Sequence, residues 1–344
     1  MTSMMVNELS QVSPYQYATL CYFKEDKPDL YPISKSVKQY YLLEKYCSMG
    51  KMLMTGGVQK FRTFLVNEQI DVLVACGALF YPLAVLGCKG TKTRCICWEH
   101  TSPKQNSDYR GQGLCRKFGI KHSDINVVLT KSALRMYLEE YHARNTVQIY
   151  NPVDKQITQK RKTYDSLSKK IMSVGRVSYP KYYQAAVEVA AKVLPHHPEW
   201  NWDIYGYGEE FEEIKKLIQE KQLSKQMHLY GQCSDLYDRF QQYAMLVMTS
   251  RYEGFPMALL EGMGSGLPLV SFDIETGPNE IIQNGRNGFL VNFDDTNTMA
   301  EKLNELIENQ AMRIRMSNAA LDMVPYFGTE YIIQQWINLF SMLK

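Results

Sequence analysis

Short apolar runs alternate with longer amphipathic ones along almost the whole chain. In residues 1–150 the short runs predict strands over Tyr17–Phe23, Ile70–Ala75, Arg94–Trp98, Ile125–Thr130 and Thr146–Tyr150, with helix-like stretches such as Val37–Cys47 and Lys131–Tyr141 between them. The rhythm sharpens beyond residue 169. Strands are predicted at Lys170–Val174, Trp202–Tyr205, Met227–Tyr230, Met245–Thr249, Leu269–Phe272 and Gly288–Val291. Helices are predicted at Tyr182–Val193, Glu209–Glu220, Pro256–Gly262, Thr296–Asn309 and Met312–Met323. Strand–helix alternation of this kind predicts an α/β protein built from parallel, doubly wound sheets flanked by helices. Asn151-Pro152 closes the fifth strand, and Asp154–Lys169 is polar and lysine-rich without apolar periodicity. It therefore reads as a linker between an N-terminal domain, 1–153, and a second domain, 170–327. The last segment, Glu330–Leu343, is amphipathic and carries Trp336 and Phe340, so residues 328–344 are expected to form a helix that packs back on the first domain.

Composition changes this picture little. The 344 residues are 45% hydrophobic and 22% charged, which is the make-up of a soluble globular protein and excludes disorder, collagen-like sequence and coiled coil as the main architecture. The length fits two domains better than one. Charge adds an asymmetry: residues 1–150 hold 19 Lys and Arg against 12 Asp and Glu, while the remainder holds 20 against 24. A basic front half and an acidic back half suggest different partners for the two parts. Seven of the eight cysteines lie in the front half, inside apolar runs and without zinc-type C-x-x-C pairs. Cys95 and Cys97 would share one face of a strand, too close along it for an ordinary disulfide. Buried free thiols in a cytoplasmic protein are the expectation. Met1–Val12 lacks the charged start and apolar core of a signal peptide. Val72–Cys88 has no charge, but it contains Gly77 and Pro82 and is short for a membrane span, so it reads as a buried strand followed by a helix.

The most informative stretch runs from Met245 to Val291. A strand, AMLVMTS, leads into Arg251-Tyr252-Glu253-Gly254-Phe255-Pro256 and the helix-like MALLEGM. Gly266 is a predicted helix C-cap, and Leu267-Pro268 opens the next strand. Gly254 permits backbone conformations and a close ligand approach that a side chain would block. Pro256 suits a first helical turn, whose free N–H groups and dipole can receive an anion. Glu261, eight residues after Glu253, can accept two hydrogen bonds from a vicinal diol if its helix borders the crevice at the carboxyl ends of the strands. Two glutamates at that spacing mean nothing alone.

The whole block is more specific: E-G-F-P-x-x-x-x-E-x-x-x-x-G-x-P between two apolar strands. It resembles the retaining family 4 glycosyltransferases, including enzymes of capsule and lipid-linked glycan biosynthesis. Their GT-B fold consists of two facing Rossmann-like domains. The resemblance extends across roughly residues 70–325. Val174-Gly175-Arg176-Val177 followed by Lys181 is similar to the family's G-R-x-x-x-x-K element, which implies that Arg176 and Lys181 bind the donor diphosphate and stabilise its developing charge. Ile204 to Glu209, with Gly206 and Gly208, resembles the family's strand ending in G-x-G. Leu229-Tyr230-Gly231 resembles the strand end that helps hold the nucleotide base. Thr276-Gly277-Pro278 through Ile281 resembles the loop and helix beyond the donor site. His100, after Cys97-Trp98-Glu99, matches a histidine facing the donor sugar, and Asn151-Pro152-Val153 matches the element before the linker.

The resemblance thus implies catalytic roles for Glu253, His100, Arg176 and Lys181. It implies donor binding by Arg176, Lys181, Gly206, Tyr230, Gly254, Phe255, Pro256 and Glu261. The donor would be a nucleotide sugar, a UDP-hexose or UDP-N-acetylhexosamine ahead of GDP-mannose. The acceptor would be a hydroxyl of a lipid-linked glycan or polysaccharide. Fixed cations would replace a metal, no further cofactor is implied, and nucleic acid is not an expected partner. The basic front half would suit peripheral contact with an anionic membrane surface on the cytoplasmic side.

Plain readings stand beside these. Taken alone, Glu253 and Glu261 would be solvated carboxylates, Arg176 and Lys181 surface cations, and His100 a satisfied structural histidine. His196-His197 lies in the polar turn KVLPHHPEWNW and reads as solvated rather than metal-binding. Gly206-Tyr207-Gly208 has Phe211 where a dinucleotide fingerprint needs its third glycine, which argues against a NAD enzyme. Gly56-Gly57-Val58 reads as a turn. One departure from the family is expected: Met1–Gln11 looks like the first helix and Tyr17–Phe23 like the strand after it, so the first domain lacks its opening strand and glycine-rich loop. A non-catalytic nucleotide-sugar-binding or partner subunit is therefore the alternative to an active transferase. A third reading, a nucleotide-sugar epimerase of the same fold, is disfavoured by the Glu253–Gly266 block.

Overall fold

The computed structural model describes residues 1–24, 32–102 and 111–343. The chain divides into two compact units, one made of Met1–Asn151 together with the chain from Thr329 onward, the other of Pro152–Gly328. Every ladder between named strands is parallel.

The first unit contains β1 (Ala18–Phe23), β2 (Lys38–Leu43), β3 (Val72–Cys76), β4 (Arg94–Trp98), β5 (Ile125–Val128) and β6 (Thr146–Gln148). Among the described residues they form two sheets, β1-β2 and β3-β4-β5-β6. Both sheets feed one core, in which Leu42, Ala75, Cys95 and Cys97 are buried with Phe61, Leu65 and Tyr81, and Leu20 and Tyr22 pack against it. The run Val72–Cys88 resolves into β3, a turn, and the helix Tyr81–Cys88, and among the described residues no helix is long and apolar enough to cross a membrane. All eight cysteines are free thiols. The final helix, Thr329–Leu343, belongs to this unit. Its Trp336 ring meets Trp98 edge-on at 4.9 Å, and its Phe340 lies 6.3 Å from Tyr17.

The expected helix over Val37–Cys47 is instead β2. Its tyrosines and leucines, KQYYLL, are good strand formers, and Tyr41 pairs with Cys21 of the neighbouring strand. Parallel pairing and a half-buried face outweigh the weak helical periodicity. The stretch Asp154–Lys169, expected as a polar linker without apolar periodicity, contains the helix Lys155–Lys160. The Asp154 side chain caps it by accepting from Gln156 N at 2.8 Å, and Ile157 is buried. Gly56, at φ 78°, ends a turn as the N-cap of the helix Gly57–Asn67.

The second unit contains β7 (Lys170–Val174), β8 (Asn201–Tyr205), β9 (Met227–Leu229), β10 (Met245–Met248), β11 (Leu269–Asp273) and β12 (Gly288–Asn292). Their order is β12-β11-β10-β7-β8-β9. The strand β10 is wholly buried and β7 is buried at Ile171, Met172 and Ser173, as a parallel sheet covered by helices on both faces demands. The helix Tyr183–Val193 contributes Ala185, Ala186, Val189, Ala190 and Val193 to a core that also holds Trp202, Val247 and Phe272. Chain order reverses between β7 and β10, and such a switch point opens a crevice at the carboxyl ends of the two strands.

Candidate active site

The strand ends at that switch carry several of the residues singled out from the sequence. β7 runs into Gly175-Arg176, and β10 runs into Thr249-Ser250-Arg251-Tyr252-Glu253. Lys181 Nζ donates to Glu253 Oε1 at 2.6 Å, and Ser250 Oγ donates to the same oxygen at 2.7 Å. The ammonium and carboxylate are 23% and 12% exposed, so the pair is shielded yet reachable. Arg176 is more open. Its guanidinium meets Glu209 at 3.1 Å with 72% of the side chain exposed, a surface contact that an incoming anion can displace.

Backbone ties hold the two loops together. Thr249 Oγ1 donates to the carbonyls of Lys181 and Tyr182, at 3.2 and 3.1 Å, and Arg251 N donates to Pro180 O at 2.8 Å. The Arg251 guanidinium lies 3.4 Å from the Tyr182 ring centre and 4.6 Å from that of Tyr179. Cation–π contacts of this length fix the segment that carries Lys181 against the loop that carries Glu253. Sequence reasoning passed over Thr249, Ser250 and Arg251, although they abut the motif that carried the resemblance.

Gly206 ends β8 where a side chain cannot fit, since an added Cβ would lie 1.8 Å from Gly175 O. Its N–H donates to Gly231 O at 2.8 Å, and Gly175 N donates to Tyr205 O at 3.0 Å. Three strand ends therefore approach as bare backbone. Beside them Tyr230, half exposed, stacks on Tyr205 with centroids 5.1 Å apart and planes 14° apart. Arg239 covers Tyr205 at 5.6 Å, a contact that no spacing in the sequence announced.

Pro256 is the N-cap of the helix Met257–Gly264, not its first-turn residue, because the helix begins one position later. The Pro256 side chain makes no capping hydrogen bond to this helix. Gly254 is not among the glycines with positive φ. Phe255 is buried, 5.9 Å from Phe327. Gly266, at φ 76°, terminates the helix just beyond Ser265, as expected. Thr276 Oγ1 donates to the Glu253 carbonyl and ties the Thr276–Pro278 loop to the site.

Glu261 projects from the helix into a small acidic cluster. Tyr237 OH donates to Glu261 Oε1 at 3.4 Å and to Asp154 Oδ2 at 3.3 Å. Burial, with the Asp154 charge adding to it, pushes the Glu261 carboxyl up to about 7, against the opposing effects of Tyr237 and Lys181. Neither Tyr237 nor Asp154 carried a sequence signal: one lies 24 residues from Glu261, and the other sits at the start of the expected linker.

His100 belongs to the first unit and follows β4. Its ring packs on Trp98 with centroids 4.2 Å apart. Nε2 is buried with no hydrogen-bond partner among the described residues, and burial pushes the imidazole down to about 4. The ring is thus neutral near pH 7, with one nitrogen unengaged.

Residues 154–323 match the family Glycosyl transferases group 1. An uncharacterized glycosyltransferase of Haemophilus influenzae is 26% identical over 316 residues, covering 91% of this chain and 85% of that protein. The poly(ribitol-phosphate) alpha-N-acetylglucosaminyltransferase of Staphylococcus aureus is 29% identical over 216 residues, which are 62% of this chain but only 43% of that longer protein. Among solved structures, Anabaena Alr3699/HepE in complex with UDP superimposes with a TM-score of 0.80 at 14% identity, over 98% of this chain and 96% of the other. The parallel α/β architecture in two domains is that of the GT-B proteins. Over residues 154–323, within the second unit, the chain carries the sequence of the group 1 glycosyltransferases.

Proposed function

We propose that this protein moves a hexose or N-acetylhexosamine from a UDP-sugar to a hydroxyl of a lipid-linked or polysaccharide acceptor, with retention at the anomeric carbon. The observation that carries the reading is the Lys181–Glu253 pair at 2.6 Å, set in the crevice of a switch-point sheet within the family's motif. Relatives named for transfer of N-acetylglucosamine or glucose to polyol-phosphate polymers, and related folds solved with UDP, support the donor and the polymeric acceptor.

In the reaction the bond from the anomeric carbon to the diphosphate oxygen breaks as the bond to the acceptor oxygen forms. The acceptor proton passes to the leaving phosphate. Arg176, Lys181 and the dipole of the helix that follows Pro256 meet the charge that grows on the diphosphate. Glu253 orients the sugar, with backbone at Gly254 and Phe255 beside it. Glu261 receives the ribose diol, Tyr230 and the backbone near Gly206 flank the base, and neutral His100 acts on the transferred sugar. Side-chain cations do the work of a divalent metal, so excess EDTA is expected to leave turnover unchanged. The basic residues of 1–150 attract an anionic membrane surface or a lipid-diphosphate acceptor.

A second reading, nucleotide-sugar binding without turnover, draws on the first unit. β1 and β3 are not paired with each other among the described residues, so this unit holds two separate sheets. A donor panel of UDP-glucose, UDP-galactose, UDP-N-acetylglucosamine and GDP-mannose, with lipid-linked glycan and polyol-phosphate acceptors, separates the two. UDP release with product formation supports the transferase. Tight UDP binding with neither hydrolysis nor transfer supports the binding subunit. Lys181→Ala is expected to lower turnover by about 100-fold, the usual loss for a removed charge-stabilising group.

A further inference from the structure

A charged pair is buried beside His100 and has no part in the chemistry above. Arg116 and Glu99 are 4% and 3% exposed, and Arg116 Nε donates to Glu99 Oε2 at 2.8 Å. Burying two ions carries a large desolvation cost, and a well-packed apolar pair serves stability as well or better. What apolar side chains cannot reproduce is the directional pattern of these bonds. Glu99 N donates to Val127 O at 2.9 Å and so fixes the residue to the end of the sheet. Its Oε1 then accepts from Thr101 N at 3.1 Å and from Thr101 Oγ1 at 2.6 Å. Arg116 Nη2 closes the ring by donating to Thr101 Oγ1 at 2.8 Å, and Tyr137 OH reaches Glu99 Oε2 at 3.5 Å.

The carboxylate therefore spans His100, gripping the residue after it while its own backbone holds the residue before it. Two helices, Gln112–His122 and Lys131–Glu139, supply Arg116 and Tyr137. The His100 ring itself leaves Nε2 without a partner among the described residues, so its aim depends on Trp98 and on the backbone. We propose that Glu99, Arg116 and Thr101 are positioning residues that fix the backbone turn at His100 and thereby orient its imidazole. The proposal rests on the functional reading of His100, and its test keeps the two apart.

The full-length double variant Glu99→Gln/Arg116→Met removes both charges together at similar volume. Thr101→Val leaves the ion pair and deletes only the hydroxyl contacts. Each is compared with the parent and with His100→Ala for UDP-sugar turnover, donor KM, UDP affinity, Tm and the NMR signals of the His100 ring. The expected result is a kcat at least tenfold lower in the double variant and three- to tenfold lower in Thr101→Val. Donor KM and UDP affinity stay within twofold, and the His100 signals shift or broaden. A kcat within twofold of the parent in either folded variant, while His100→Ala is impaired, overturns the positioning role. If His100→Ala is as active as the parent, the catalytic reading of His100 fails instead. The ring signals then decide alone, and parent-like His100 signals in Thr101→Val overturn the proposal. Should the double variant not fold, Thr101→Val decides the matter by the same measurements.

Discussion

The proposed ribose contact of Glu261 ties donor binding to pH. A single phenol, Tyr237, is shared between it and Asp154, so neither acid is fully compensated. Its folded value of about 7 stands above the ordinary 4.5 because burial and the Asp154 charge disfavour ionisation. The folded state therefore holds this proton more tightly than the unfolded chain. The stability it confers is complete below about pH 4.5 and disappears as pH rises through 7. Glu261→Gln removes this dependence, so the Tm of the variant minus that of the parent should grow between pH 5 and pH 8. A constant difference would contradict the shifted carboxyl. Ligand binding should mirror it. In the proposed contact a ribose diol donates to the ionised form, so UDP affinity of the parent should rise by about tenfold between pH 6 and pH 8, following the population of carboxylate. Affinity in Glu261→Gln should be weaker at pH 8 and flat across the same range.

Strand ends bring the site together, and two glycines there can be told apart. At Gly206 an added Cβ collides with Gly175 O at 1.8 Å, whereas at Gly231 nothing lies within 4 Å and the only penalty is φ 70°. Gly206→Ala is expected to cost about 2–4 kcal/mol and to weaken UDP binding, because β7 and β8 must separate. Gly231→Ala should cost about 1 kcal/mol. Urea unfolding of the two variants checks the order, and equal losses would refute the close-approach account. The glycines, the buried strands β7 and β10 and the helix after Pro256 were all legible in the sequence, because each depends on local pattern or on a motif with fixed spacing. β2 was not, because KQYYLL becomes a strand only through its pairing with β1, and pairing partners leave no mark in a local window. The same limit hid Tyr237 from Glu261 and Arg116 from Glu99. Such contacts are set by which helix packs over which strand.

At the scale of the whole chain, the last helix makes a distant segment part of the first unit. Trp336 is 2% exposed and meets Trp98 at 4.9 Å, and the same helix places Ser341 Oγ 3.0 Å from Tyr15 OH. The core around β4 is thus completed by residues that follow the whole second unit in sequence, and it cannot close until they arrive. Trp336→Ala should remove about 3–5 kcal/mol of packing, the usual loss for a buried tryptophan. That loss belongs to one core, because the second unit buries its own residues around Trp202, Val247 and Phe272. Hydrogen exchange should therefore show protection falling in the helix Thr2–Val12 and in β4 of the variant, with the strands β7 to β12 keeping theirs. UDP should still protect the loops after β7 and β10. Uniform loss of protection across both units would mean that they unfold as one, and that the last helix serves more than the core it enters.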